Sequence, residues 1–328
     1  MKFVSRLYWA AAVLGTLSFQ TSVFAQDSKL EVIQHWAVGE PSKWDYAAID
    51  TSRHHLFVTK GDNVEVLDSS TGKLIGEIPS HGAHGVAFAQ DLKLGFISNG
   101  QANTVTVFDL DTLKVKQEIN IQGQNPDAIL YEPKSQRVYT FNGKSSDITA
   151  IDAITLKVLA TFAANGRPEF AVSDDAGKIF FNIEDKSKLG VIDVATNKLI
   201  TTWSLKGCEE PSGLAIDKAH QRLFSVCQNK TMVITNAKTG QFVANAVIGE
   251  HPDAAAFDPK TANVYSSNGA AGGTLTVVHQ NDADHYATVD QVVTAQSART
   301  MALDSESGTI YLPAAVNGKF EVLVVGSK

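Results

Sequence analysis

The chain has 328 residues, 44% hydrophobic and 19% charged, with a formal net charge of −7 at pH 7. This composition supports a sizeable apolar core, and the acidic balance works against general binding of polyphosphates such as nucleic acid. The length allows two domains, but closed all-β architectures reach it as one.

In chain order, the first segment reads as a secretory leader. Lys2 and Arg6 supply its basic start, Leu7 to Leu17 is uncharged and apolar, and Val23-Phe24-Ala25 offers small residues for cleavage after Ala25. The apolar stretch is well short of the roughly 20 residues that a spanning helix needs. A periplasmic or secreted mature protein without a membrane span is therefore expected, with residues 26–328 as one domain. The first strand expected after the leader is Leu30-Glu31-Val32-Ile33.

Beyond it the chain repeats. Seven short runs of small apolar residues recur: Ala47-Ala48-Ile49, Val86-Ala87-Phe88, Ala128-Ile129-Leu130, Phe170-Ala171-Val172, Leu214-Ala215-Ile216, Ala254-Ala255-Ala256-Phe257 and Met301-Ala302-Leu303. Each precedes a polar turn and a strand rich in aromatic and β-branched residues, such as Arg137-Val138-Tyr139-Thr140-Phe141, and then a third strand such as Thr104 to Phe108. A turn of the form Asp-x-x-Thr-x-Lys follows, with its Asp at 68, 109, 152 and 193 and an Asn at 236. Asp or Asn there accepts hydrogen bonds from amides two or three residues on, a structural role. A period of about forty residues with four short strands per unit selects a β-propeller over a sandwich or barrel. The expected fold is all-β: seven four-stranded blades, with small residues in the innermost strand where the blades crowd the axis. Blade seven ends after its third strand, Phe320 to Val325, and Leu30–Ile33 is expected to complete it and remove the open edge.

The second strands carry a resemblance. Phe57-Val58-Thr59, Phe96-Ile97-Ser98-Asn99, Tyr139-Thr140-Phe141-Asn142 and Tyr265-Ser266-Ser267-Asn268 resemble the Tyr-Val-Thr-Asn repeat of the YVTN (YncE-like) propellers. The resemblance spans essentially the whole mature chain and implies a seven-bladed propeller and an exported bacterial protein. It implies no single activity, because that class is functionally mixed.

Residues ahead of the innermost strands point to one mouth of the channel. Asp45, His84, Asp127, Glu169, Ser212, Asp253 and Arg299 occupy equivalent places, and Lys60, Asn99, Asn142, Asn182, Gln228 and Asn268 follow the second strands. Convergent polar groups in a concavity mark the default ligand site, with Asp45, His84, Asp127, Glu169, Asp253, Arg299 and Asn142 as binding candidates. The Asn residues also suit structural turns, several of them standing before Gly. His81, His84 and His251 are candidate ligands, with carboxylates, for a divalent metal, calcium or zinc. His54-His55 falls in an opposite-face turn, where solvation is expected. Cys208 and Cys227, the sole cysteines, fall at one end of a single hairpin and are expected to pair.

No G-x-S-x-G, H-E-x-x-H or phosphate-binding glycine loop occurs, so no cofactor or catalytic signature is identified. The chain reads foremost as a monomeric binding or scaffold propeller for a small ligand or protein partner. A metal-dependent hydrolase is the alternative, because propeller lactonases hold an axial metal through acidic and Asn side chains. Single-stranded nucleic acid stacking on Trp44 and Tyr46 is the third reading, which the acidic charge disfavours.

Overall fold

Alternating apolar residues with a turn every few positions favour short antiparallel strands joined in sequence order. In the computed structural model, which describes residues 29–40, 42–270 and 272–328, every repeat folds this way. The expected leader lies outside the described residues. Blade one comprises Trp44–Asp50, His55–Lys60, Asn63–Asp68 and Leu74–Pro79, running from the axis outward. The innermost strands of the next six blades are Ala83–Ala89, Pro126–Glu132, Pro168–Ser173, Pro211–Asp217, Pro252–Asp258 and Ala302–Asp304. The seven four-stranded sheets form the predicted propeller. Two single-turn 3₁₀ segments, Gln90–Leu92 and Glu184–Lys186, are the helical elements among the described residues. No described helix is long and apolar enough to cross a membrane.

The core lies between blades. Second-strand aromatics face the neighbouring sheet, so Phe57 meets Phe108 at 5.7 Å between ring centroids and Phe141 meets Phe181 at 5.5 Å. All four are fully buried, and each contributes roughly 1.5–3 kcal/mol through removal of apolar surface from water. The turn residues act as expected. Asp68 Oδ1 accepts from the amides of Ser70 and Thr71 at 3.1 and 2.8 Å, and Asp109 does so from Asp111 and Thr112. Asp152, Asp193 and Asn236 repeat the pattern. A second set of caps went unread in the sequence. Asp50, Glu132, Asp217, Asp258 and Asp304 end innermost strands, are buried, and hold the following turn.

Ring closure follows the prediction, with a longer strand. Leu30–Ala37, rather than Leu30–Ile33 alone, pairs antiparallel with Lys319–Ser327, from Leu30 opposite Ser327 to Ala37 opposite Glu321. Trp36 packs on Tyr311 at 5.5 Å. Cys208 and Cys227 form the expected disulfide. The His54-His55 expectation is half corrected: His54 is exposed, but His55 Nδ1 is buried without a hydrogen-bond partner, and burial holds its pKa below the usual histidine value.

Candidate functional site

Six innermost strands begin with a residue paired to the last residue of the second strand: Trp44 with Lys60, Ala83 with Asn99, Pro126 with Asn142, Pro168 with Ile183, Pro211 with Cys227, Pro252 with Asn268. The register slips just after each pair. The residue in the slip is Asp45, His84, Asp127, Glu169, Ser212 or Asp253. Such bulges re-aim a side chain out of the ladder, and they bring these residues to one mouth of the channel.

Neighbouring blades fix the backbone at these bulges. Thr300 Oγ1 donates to the carbonyl of Asp45 at 2.6 Å, Ser98 Oγ to that of Asp127 at 2.5 Å, and Asn182 Nδ2 to that of Ser212 at 2.8 Å. Ser267 Oγ donates to the Arg299 carbonyl. Each donor belongs to the preceding blade, so blade packing sets the positions of the site residues.

The side chains form a charged network. His84 Nδ1 lies 2.5 Å from Asp45 Oδ2 and 3.5 Å from Asp127 Oδ1. Arg299 reaches Asp253 Oδ2 at 3.1 Å and Asp45 Oδ1 at 3.7 Å. Burial pushes Asp127 up to about 7, with the Asp45 charge adding to it, against His84 and Arg299. Asp253 also rises to about 7 through burial, opposed by Arg299 and helped by Asp45, Asp127 and Glu184. Glu169 rises furthest, to about 10, through burial, the Asp127 charge and a hydrogen bond shared with Glu184. Burial opposes protonation of His84, but the Asp45 hydrogen bond and the Asp127 charge outweigh it and raise its pKa.

Glu184 was not expected here. It follows the second strand of blade four, where Gly61, Gly100, Gly143 and Gly269 stand in four other blades. That break in the repeat was the available signal. Its carboxylate is held by Arg167 at 2.5 Å.

Other candidates fall elsewhere. Asn142 is fully buried, and its amide donates to Asp147 and Thr149 while accepting from Thr140, so it braces its own blade and does not reach the mouth. Asn99 and Asn268 are likewise spent on Thr104, Thr106, Thr274 and Thr276. Lys60 is tied to Glu65 at 2.7 Å and to the Val38 carbonyl. His81 and His251 are exposed and do not join His84. Among the described residues, the group whose potential ligand atoms all lie within 4.8 Å of one another is Asp45, His84 and Asp127.

Two further features shape the channel. A cavity of about 450 Å³ beside the network is lined by Trp44, Gly61, Gly82, Gln101 and Ser297 together with Asp45, His84 and Arg299. Below the carboxylates, Tyr46 of blade one meets Phe170 of blade four at 5.5 Å across the axis. Where most blades carry a small residue next to the bulge, these two are large, and Phe170 also lines a second cavity of about 760 Å³ together with Ile49, Phe88, Leu130 and Ile216.

No known family profile matches the chain. It is 27% identical over 168 residues to Antigen Lp49 of Leptospira interrogans, a match covering 47% of this chain and 37% of that protein's length. Among solved structures it resembles U3-55K (TM-score 0.78, 8% identity, covering 90% of this chain and 99% of the other). It also resembles the WD40 repeats of RRP9 (TM-score 0.76, 8% identity, 90% and 99% covered) and a chain of the mitotic checkpoint complex (0.77, 12%, 96% and 98%). At these identities the likeness concerns architecture, and the chain shares with them the fold of a seven-bladed β-propeller.

Proposed function

We propose that this is an exported binding propeller whose acidic mouth captures a positively charged group, an amine or guanidinium, of a small ligand or a protein partner. One observation carries the reading: Asp45, Asp127, Glu169, Glu184 and Asp253 act on one another at a single mouth, outnumbering Arg299, Arg167 and His84 among them, with Lys43 lining the adjacent cavity. A cation entering the mouth relieves the repulsion and desolvation that raise the pKa of Asp127, Glu169 and Asp253. The cavity beside Trp44 has the volume of a small-molecule site. Likeness to WD40 repeats and to a chain of a checkpoint complex supports a scaffold role, and the disulfide supports an oxidising compartment.

Calorimetric titration with n-butylguanidine, n-butylamine and butyrate tests this. Both cationic probes are expected to bind more tightly than butyrate, with at least about a tenfold loss in Asp253→Asn and Glu169→Gln, since charged hydrogen bonds are each worth about 1.5–3 kcal/mol. Equal binding of butyrate, or no loss in either variant, overturns the reading.

A further inference from the structure

We propose that Asp45, His84 and Asp127 form a binding site for a divalent transition-metal cation of the zinc or cobalt class, at the edge of the mouth shared by blades one, two and three. The inference shares the acidic mouth with the function proposed above but needs no organic ligand.

Geometry comes first. One nitrogen and two carboxylate oxygens, from three consecutive blades, offer ligand atoms all within 4.8 Å of one another. A metal bound by such donors sits about 2.0–2.2 Å from each, so the donors lie no more than roughly 4.4 Å apart. A cation therefore needs Asp45 and His84 to part slightly from their 2.5 Å contact and Asp127 to keep close to its present place.

A second observation is independent of the clustering. Asp127 Oδ1 is buried and makes no hydrogen bond, one of four such side-chain atoms among the described residues. It faces His84 Nδ1 at 3.5 Å, an ion-pair contact that makes no hydrogen bond. A buried polar atom without a hydrogen bond costs about 1–3 kcal/mol, and a bound cation would satisfy it.

Gly100 shows that the imidazole has a prepared seat. A Cβ there would stand 2.4 Å from His84 Nε2 and 2.8 Å from Asn125 Oδ1, so any side chain would displace the ring. The backbone is held as well, since Thr300 and Ser98 clamp the carbonyls of Asp45 and Asp127. A site on braced strands keeps its ligands near their binding geometry.

Donor chemistry chooses the class of metal. Two carboxylates balance a dication, and a neutral imidazole favours zinc, iron, cobalt or nickel over calcium or magnesium. Three protein ligands leave coordination positions open toward the mouth. This set replaces the predicted trio of His81, His84 and His251, of which only His84 takes part.

Cobalt(II) titration of chelator-treated protein, followed by its visible d–d absorption, is the test, with zinc, manganese and calcium competing. The wild type is expected to take up one equivalent, displaced by zinc far better than by calcium. His84→Ala and Asp127→Asn are expected to lose the band or weaken binding at least tenfold while melting cooperatively; His81→Ala and His251→Ala are expected to keep it. Asp127→Asn preserves shape, so it remains informative should His84→Ala fail to fold. No uptake by the wild type, or an unchanged band in both site variants, overturns the proposal. If n-butylguanidine still binds where metal does not, the metal site falls and the proposed function stands; if neither binds, both fall.

Discussion

A carboxyl group moved from water to the channel mouth exchanges hydration for whatever its neighbours supply. Asp253 receives Arg299 at 3.1 Å, and it also faces the charges of Asp45, Asp127 and Glu184. Burial and these acids outweigh the guanidinium, so its pKa stands near 7. Between about pH 4 and 7 the folded protein therefore holds a proton that the unfolded chain has released, and stability falls as pH rises through that window. At about 1.4 kcal/mol per pH unit, the contribution of this one group is on the order of 2–4 kcal/mol. Chemical denaturation of chelator-treated protein from pH 5 to 8 is expected to show that decline, and Asp253→Asn to make it shallower while Asp127 and Glu169 still contribute; identical profiles would refute the assignment. At this scale legibility depended on which way a bulge turns a residue. Asp45, His84, Asp127, Glu169 and Asp253 share a place in the repeat, and that place was readable. Asn142 ends the second strand, paired with Pro126 just ahead of the bulge, and turns into its own blade, a direction that residue type alone does not disclose.

Among the elements, the turn between third and fourth strands carries a role beyond its Asp cap. Its left-handed position is Gly72, Leu113, Leu156, Asn197 or Gly240, with φ between 51° and 72°. Leu113 and Leu156 pack against the preceding blade, and Asn197 accepts from Tyr139 and Arg137 of the preceding blade. Over the two glycines lie indoles: a Cβ on Gly72 would stand 2.3 Å from Trp36, and one on Gly240 2.2 Å from Trp203. Since leucine tolerates the backbone there, the glycines are needed for the tryptophans more than for the turn. Gly72→Ala is expected to cost about 2–4 kcal/mol, from the backbone conformation and the overlap together. Gly308→Ala, at φ 75° with open space around it, isolates the backbone part at about 1–2 kcal/mol. Equal losses in urea denaturation would show that Trp36 plays no part. The alanine-rich inner strands and Asp turns made the blades countable in advance, because both recur with the repeat. These contacts between blades vary in chemistry from one repeat to the next and leave no common signature.

The whole ring depends on one strand borrowed from the other end of the chain. Removing Lys29 to Trp36 strips Leu30, Val32 and Trp36 from blade seven and uncovers the edge of Lys319–Ser327. Three such side chains contribute about 5–6 kcal/mol, so the truncated protein is expected to melt at least about 10 °C lower or to aggregate. A melting point within a degree or two of the intact protein would count against closure. The disulfide adds a local clamp: its sequence separation of 19 residues corresponds to about 3 kcal/mol in the chain-entropy model. Cys208→Ser with Cys227→Ser is expected to lose that much, and intact mass is expected to rise by two hydrogens only with reductant. Closure also sets an orientation. Second strands end at the acidic mouth, so in blade seven the third strand leaves the mouth at Lys319 and finishes on the far face at Ser327, beside Leu30. Whatever is joined to either end departs from that far face, as from the base of a lamp. A tether to a surface, whether a cell's or a sensor chip's, would leave the site pointing away from its anchor and open to what diffuses past.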